Sequence, residues 1–328
     1  MSINAPITFS QAIGYALRDA MSANDRVILM GQDIGAAGGP FGVTQGLSDR
    51  FGKQRVLDFP ISEASLVGAA LGAALTGYRP VAEIMFMDFS TLAMDALVNQ
   101  SAKTHFMFGG QNTVPLVVRM PHGGGISAGA QHSQCLESWF AHVPGLYVVC
   151  PSNAADAYGL LRASIDNPNP VIFIENKSLY AAASRLPKVP EAIPLGSARI
   201  ARAGRDATVV CYGASVHWAE QSAAELALSG IDIEVIDLRS LQPWDETTIF
   251  ESLAKTHRLV VCHEAVEAFG IGAEIAARMA EIGFDELHAP IRRVGAPFCP
   301  VPYAPTLETE YAPNPAKLTR VLREILLR

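Results

Sequence analysis

The sequence has little charge and lacks the patterns of several specialised protein classes. Only 17% of its 328 residues are charged, 49% are hydrophobic, and the formal net charge is −7. Nucleic-acid binding depends on clustered Lys and Arg, and no such cluster occurs, so the sequence argues against this class of partner. The five cysteines are scattered without a C-x-x-C pair, so they indicate neither a disulfide framework nor a zinc site.

Motifs for nucleotide binding and serine hydrolysis are also missing. There is no G-x-x-x-x-G-K-[ST] and no G-x-S-x-G, and the nearest approach to a dinucleotide fingerprint, FGIGAEIAARMA, begins several residues after its predicted strand. The N-terminus has no basic start followed by an apolar block, and no uncharged apolar run reaches about 18 residues. We therefore expect a cytoplasmic protein that does not enter a membrane.

What the sequence does contain is a regular alternation of short apolar runs and amphipathic stretches. This pattern is typical of parallel strands joined by helices. In the first part of the chain it predicts strands at residues 27–31, 56–59, 81–84, 114–120, 146–150 and 171–175. The first helix carries Phe9, Ile13, Leu17 and Met21 four residues apart, which gives it one apolar face.

The alternation stops near Pro187, Pro190 and Pro194 and then begins again. We therefore predict a first domain over residues 1–185, a linker over 186–205 and a second domain over 206–328. Strands are predicted at 207–213, 231–238 and 258–264, and helices at 216–229, 245–255, 271–283 and after Pro315. The predicted fold class is α/β, with two doubly wound domains.

Glu63 lies at the mouth of a largely apolar run over residues 57–75. In one interpretation Ser62 caps a helix and Glu63 opposes the helix dipole, which stabilises the helix by about 0.3–1 kcal/mol. The helix itself, ASLVGAALGAALTG, is small and apolar on nearly every face, so we expect it to pack closely against other elements. Glu63 would then be partly desolvated, as are carboxyl groups that proteins prepare for proton transfer.

Several segments together resemble one family. They are DFPISE, GYRPVAEIMFMDF, AKTHFMFGGQNTVPLVVR, AQHSQ, VPGLYVVCPSNAADAYGLL, NPVIFIENKSLY and VIDLRSLQPWDETTIFESLAKTHRLVVCHEA. They resemble the beta subunit of the thiamine-diphosphate-dependent first component of 2-oxoacid dehydrogenase complexes, of pyruvate or branched-chain type, and its relative in acetoin dehydrogenase. The resemblance covers almost the whole chain. It implies a transketolase-like pyrimidine-binding domain followed by a transketolase C-terminal domain.

The resemblance also implies roles for individual residues. Glu63 would face the pyrimidine ring nitrogen of thiamine diphosphate and share a proton with it, which prepares the cofactor to lose a proton from its thiazolium carbon. Phe89 would stack on the pyrimidine, although a core phenylalanine at a strand end fits the sequence equally well. Ile61 would join the cofactor-binding residues. His132 would lie on the substrate side, for positioning or proton transfer, whereas loop histidines are otherwise commonly solvated.

Metals and partners are implied in the same way. Some members of the family bind a potassium ion, and the matching positions here are Leu116, Asn167 and Asn169, with Asn167 in place of the acidic side chain, so the resemblance leaves this metal undetermined. The G-D-G segment that begins the usual diphosphate and Mg²⁺ site is absent, so an alpha subunit would hold both groups in an alpha2beta2 heterotetramer. The acyl group would pass to a lipoyl-bearing acyltransferase, which makes the enzyme an oxidoreductase with a disulfide acceptor. The alternatives are an acetoin dehydrogenase beta subunit and a non-catalytic scaffold subunit of such a complex.

Overall fold

The computed structural model describes residues 6–185 and 191–327. Within them the chain forms two compact units. The first unit comprises the residues up to His122 together with Trp139–Leu195, and the second comprises Gly123–Ser138 together with the residues from Gly196 onward. The domain bounds inferred from the sequence, 1–185 and 206–328, stay a prediction, and Pro187 and Pro190 lie outside the described residues.

The first unit alternates strands and helices as its sequence predicts. Its strands are β1 (Ile7–Thr8), β2 (Val27–Gly31), β3 (Val56–Asp58), β4 (Arg79–Glu83), β5 (Val117–His122), β6 (Tyr147–Val149), β7 (Val171–Asn176) and β8 (Ala183–Ser184). Its helices are α1 (Phe9–Ala23), α2 (Leu47–Phe51), α3 (Glu63–Leu75), α4 (Ala102–Met107), α5 (Glu137–Ala141, which starts in the second unit's segment) and α6 (Ala154–Asp166), with 3₁₀ turns at Met87–Ala93 and Lys177–Leu179 and a π-helical turn at Asp95–Ser101.

The main sheet of the first unit is parallel, in the order β6-β7-β5-β4-β2-β3. Every residue of β2, β5 and β7 is buried, as expected for a sheet covered on both faces. The predicted apolar face of α1 is confirmed, because Phe9, Ile13, Leu17 and Met21 are fully buried. All six predicted strands are present, with ends that differ by a few residues.

The second unit repeats this architecture on a smaller scale. Its strands are β9 (Arg199–Arg202), β10 (Ala207–Cys211), β11 (Ile233–Asp237), β12 (Ser240–Gln242), β13 (Leu259–Val266) and β14 (Arg292–Ala296). Its helices are α7 (Ser215–Ala227), α8 (Glu246–Thr256), α9 (Ile271–Ile282), α10 (Pro305–Tyr311) and α11 (Pro315–Leu326), with a 3₁₀ turn at Phe284–Glu286. The sheet order is β14-β13-β10-β11-β9, and β9 alone runs antiparallel to its neighbour.

Three strands of the second unit, β9, β12 and β14, were not predicted from the sequence. β9 and β14 are only partly buried and begin with arginines, so they lack the apolar run that marks a central strand. β9 falls within the stretch for which the sequence predicts a linker. The core of this unit lies between the sheet and the helices α7 and α11. The predicted α/β class with two wound domains is confirmed.

Within residues 6–185 and 191–327, none of the helices has both the length and the apolar content that a membrane crossing requires.

Candidate active site

Glu63 is the first residue of α3 and is buried, with 4% of its surface exposed. The Gln32 side chain, which follows the end of β2, donates a hydrogen bond from Nε2 to Glu63 Oε1 over 3.3 Å. Because β2 and β3 are parallel neighbours, their carboxyl ends bring these two side chains to the same edge of the sheet. Among residues 6–185 and 191–327, no cation lies within ion-pair distance of the Glu63 carboxylate.

The capping interpretation of this helix start is only partly met. Ser62 occupies the N-cap position, but its side chain makes no bond to the helix backbone and its hydroxyl donates to Ser65 Oγ over 2.9 Å. Helix α3 therefore begins at Glu63 without a side-chain cap from Ser62. The carboxylate is held by burial and by the Gln32 amide.

Helix α3 buries one face and exposes the other within this chain. Leu66, Val67, Ala70 and Ala74 are buried. The opposite face consists of Ala64, Ser65, Gly68, Ala69 and Gly72, and all five are exposed. A Cβ atom added at Gly68 or Gly72 would meet no described atom within 4 Å. The sequence-based expectation of close packing therefore applies to one face, and no residue of the described part of the chain covers the small-residue face.

Phe89 lies in the 3₁₀ turn after β4, and this turn packs against α3. The Phe89 ring is half-buried and meets Phe86 edge to face, with the ring centroids 5.8 Å apart. Phe86 in turn lies 5.8 Å from Phe41, and Phe41 lies 4.8 Å from Tyr180. The four rings form a continuous aromatic row that fixes the turn. Glu63 and Phe89, predicted from sequence motifs, are thus carried by two elements in contact.

A buried ion network closes the same edge of the sheet. The Arg119 guanidinium on β5 donates to Glu83 on β4 over 2.5 Å and to both oxygens of Glu175 on β7 over 2.6 and 2.9 Å. The Tyr180 hydroxyl donates to Glu175 over 2.8 Å. All four residues are buried. The sequence analysis missed this network, although three charged residues near the ends of apolar strands are a signal that could have indicated it.

Burial sets the protonation properties of this network. Desolvation, together with the Glu175 charge, raises the pKa of Glu83 even though Arg119 opposes the shift. Desolvation and the Glu175 charge also raise the pKa of Tyr180 well above its usual value. Burial alone would lower the pKa of Arg119, but the two carboxylates outweigh it and raise that pKa. The guanidinium therefore stays charged, the Tyr180 hydroxyl stays protonated, and the Glu83 carboxylate takes up a proton more readily than an ordinary glutamate.

His132 belongs to the second unit, in the loop over residues 123–134. It is half-buried, and its backbone N–H donates to the Gly129 carbonyl over 3.3 Å. The side chains of Glu264 and Glu308 accept hydrogen bonds from the backbone of the same loop. These two glutamates were not singled out from the sequence. The described units therefore place Glu63 and Phe89 in one and His132 in the other.

The remaining predicted residues are Ile61, which is exposed, and the three residues at the predicted potassium position, which already have hydrogen-bond partners. Ile61 is 85% exposed in the turn before α3, so its side chain is available to a ligand. At the expected potassium position, the Asn167 side chain accepts a bond from the Asn169 N–H over 2.8 Å, and the Leu116 carbonyl accepts from Val171 over 2.8 Å. The Arg79 guanidinium donates to the carbonyls of Ile165 and Asn167 over 2.7 and 3.4 Å. These two carbonyls therefore already accept hydrogen bonds from a cationic side chain, and the potassium site stays a prediction.

Comparisons with known proteins identify the fold and the family. The transketolase pyrimidine-binding domain matches residues 5–182, and the transketolase C-terminal domain matches residues 196–318. A solved split-gene transketolase, described as an inactive beta4 tetramer, shares the fold with a TM-score of 0.82 at 20% identity, over 98% of this chain and 99% of that one. The fold and the site thus define a two-domain protein of transketolase type.

Two relatives narrow the family further. The chain is 47% identical to the beta subunit of acetoin:2,6-dichlorophenolindophenol oxidoreductase from Bacillus subtilis, over 98% of this chain and 97% of the relative. It is 44% identical to the pyruvate dehydrogenase E1 component subunit beta from Rhizobium meliloti, over 98% of this chain and 70% of the relative. The chain belongs to the family that these acetoin and pyruvate enzyme beta subunits form.

Proposed function

We propose that this chain is the beta subunit of a thiamine-diphosphate-dependent 2-oxoacid dehydrogenase and contributes the acid–base side of its active site. The observation that carries the proposal is the buried Glu63 carboxylate at the start of α3, in contact with the turn that bears Phe89. Both residues lie within the stretch matched by the pyrimidine-binding domain. The family membership supports the proposed reaction class, and the geometry supports the roles proposed for Glu63 and Phe89.

The residues present fit the pyrimidine half of the cofactor. Thiamine diphosphate, when bound, supplies the electron sink that lets a 2-oxoacid lose carbon dioxide. Glu63, which has an amide partner and no cation partner among the described residues, would hold a proton at the pyrimidine ring nitrogen. Phe89 would present its ring to the pyrimidine, and the exposed Ile61 would contact the cofactor. His132 would position the substrate or move a proton on its side of the site.

The diphosphate half of the site would come from a partner. The sequence contains no G-D-G segment, so we assign the diphosphate and Mg²⁺ to an alpha subunit. The exposed face of α3 supports an alpha2beta2 assembly, because a stripe of Ala, Ser and Gly lets another backbone approach closely. Leu116, Asn167 and Asn169 remain a proposed potassium site. A cytoplasmic location belongs to the same proposal.

The acceptor and the substrate complete the proposal. We assign transfer of the acyl group to a lipoyl-bearing acyltransferase, which makes the reaction an oxidation of the 2-oxoacid with a disulfide acceptor. Acetoin cleavage is the second candidate, and it is favoured by two relatives named for acetoin, at 47% and 44% identity. A non-catalytic scaffold is the third, and the buried Glu63 counts against it because a scaffold needs no desolvated carboxylate there.

The deciding experiment is reconstitution of the chain with a G-D-G-bearing alpha subunit. Reduction of 2,6-dichlorophenolindophenol is measured with pyruvate, branched-chain 2-oxoacids or acetoin, with and without thiamine diphosphate and Mg²⁺. We expect cofactor-dependent activity from the pair and none from the isolated chain. Turnover of acetoin without any 2-oxoacid selects the second candidate. Absence of turnover, with an intact alpha–beta assembly, overturns the catalytic proposal in favour of the scaffold.

A further inference from the structure

The loop over residues 123–134, here called the His132 loop, has an unusual backbone. Gly123, Gly125 and Gly129 have φ values of +84°, +92° and +73°, and Ser127 has +55°. Positive φ values are common for glycine but unfavourable for serine, so this conformation needs support from its surroundings.

Two glutamates of the second unit provide that support. Glu264 on β13 accepts a hydrogen bond from the Gly124 N–H over 2.6 Å. Glu308 on α10 accepts from the Gly125 N–H over 2.9 Å through Oε1, and from the Ser127 N–H and hydroxyl over 3.0 and 3.3 Å through Oε2. Four donors of one short loop therefore end on two carboxylates. Hydrogen bonds to charged acceptors are roughly twice as strong as neutral ones.

The glycines of the loop fit against the same surroundings. A Cβ atom at Gly124 would lie 3.0 Å from Glu308 Oε1, and one at Gly129 would lie 2.3 Å from the Tyr303 ring. Glu308 is itself 7% exposed, so its carboxylate has little water to replace a lost loop partner. The small residues and the carboxylates thus form one fitted contact.

The loop also faces open space on one side. It borders a cavity of about 570 Å³, which the loop residues Gln131 and Gln134 line together with Glu264, Glu308 and Tyr311. A loop beside an open cavity can change conformation at low cost in packing. The hydrogen bonds to the two glutamates therefore contribute to its conformation.

We infer that Glu308, assisted by Glu264, is a positioning residue that holds the His132 loop in its working conformation. The link to catalysis rests on the proposed function, in which His132 lies on the substrate side of the cofactor. Glu308 does not touch the reacting atoms in this account. It acts through the backbone of the loop, at Gly125 and Ser127.

The test compares Glu308→Gln with Glu310→Gln. Glu310 is exposed on the same helix two residues away, so its substitution controls for charge and helix propensity. In the full-length chain, we expect amide hydrogen exchange across residues 123–135 to accelerate about tenfold in Glu308→Gln. Glu310→Gln should leave it unchanged. Equal protection of the loop in the two variants overturns the anchoring itself.

Kinetics of the reconstituted enzyme test the link to the reaction. We expect Glu308→Gln to lower kcat/KM for the substrate about tenfold while the Kd for thiamine diphosphate stays constant, because that binding depends on Glu63, Phe89 and the partner. Gly124→Ala should act on the same contact, so the two substitutions together should cost less than the product of their separate effects. If the double variant shows the full product of the two separate effects, Glu308 and Gly124 do not act through one contact, and the inferred contact is wrong.

Exchange and kinetics together distinguish a failure of the Glu308 anchor from a failure of the proposed function. Faster exchange in a reconstituted enzyme that turns over no 2-oxoacid or acetoin upholds the anchor and overturns the proposed function. Faster exchange with unchanged kinetic constants in an active enzyme overturns the positioning role, since the loop would then move without affecting the reaction.

Discussion

The two units each bury glutamate side chains beside a cation, but they do so in opposite ways. In the first unit, Glu83 and Glu175 share the fully buried Arg119, at the carboxyl ends of their strands. In the second unit, Glu234 on β11 is bonded by Lys255, whose side chain is 47% exposed, and by Ser252 over 2.5 Å and Gly204 over 3.2 Å. In the first cluster two glutamates share one cation, whereas in the second a single glutamate has three donor residues.

The difference appears in the protonation of the two glutamates. Burial raises the pKa of Glu83 because one guanidinium cannot compensate two desolvated carboxylates. Burial would also raise the pKa of Glu234, but the hydrogen bonds from Lys255, Ser252 and Gly204 outweigh it and lower that pKa. The same residue type is thus poised to gain a proton in one unit and to keep its charge in the other. Raised carboxyl pKa values of the first kind occur both at functional sites and in structural ion-pair networks.

The largest effect is expected from breaking the first cluster. Arg119→Met leaves two buried carboxylates without their cation, which should cost about 3–5 kcal/mol in the free energy of unfolding. Urea unfolding of the full-length chain measures the loss. Adding Glu83→Gln and Glu175→Gln should recover part of it, because the uncompensated charges are then removed. A single Arg119→Met variant as stable as the parent would show that the network is not a structural element.

The next effect concerns Glu63, another buried acid of the first unit. Glu63→Gln keeps the shape but cannot hold a proton in the same way, so we expect turnover of the reconstituted enzyme to fall at least about 100-fold. Thermal unfolding should change little, because no ion pair among the described residues is lost. A variant that melts several degrees lower while keeping its turnover would assign Glu63 to the helix dipole instead.

A smaller effect, with opposite signs in the two units, is expected from pH. Above the ordinary glutamate pKa the folded chain keeps a proton on Glu83 that the unfolded chain has lost, so this residue makes stability fall as pH rises through that window. Below the ordinary value the unfolded chain takes up a proton that Glu234 refuses, so stability is lost as pH falls. Stability curves against pH for Glu83→Gln and Glu234→Gln should lack these two slopes respectively. Parallel curves for both variants would contradict the comparison.

The smallest effect is expected from the half-exposed partner of Glu234. Lys255→Met should cost only about 1 kcal/mol, because solvent screens this ion pair and two donors remain on Glu234. The loss is measured from denaturant midpoints in dilute buffer and in about 0.5 M salt, because the added salt screens this half-exposed ion pair. A loss as large as that of Arg119→Met would show that the two clusters do not differ in kind.

The sequence alone was sufficient for the regular parts of the molecule. The apolar runs of β2, β5, β7 and β10 predict central parallel strands because a strand buried on both faces needs apolar residues throughout. The residues PISE and MDF identified Glu63 and Phe89, because each motif is local to one strand end and its following turn. Their resemblance to a known family supplied the reaction class, which no periodicity could do.

Only the tertiary structure decided which distant residues complete these sites. Arg119, Glu83 and Glu175 stand on three strands, and Glu264 and Glu308 reach the His132 loop from more than a hundred residues away in sequence. It also showed that α3 exposes its small-residue face, whereas its composition alone suggested burial all round. Local patterns record what a residue needs from its own helix or strand. The partners of a residue across a sheet or a loop depend on which strands are neighbours in the sheet, and that strand order is a property of the whole packed unit.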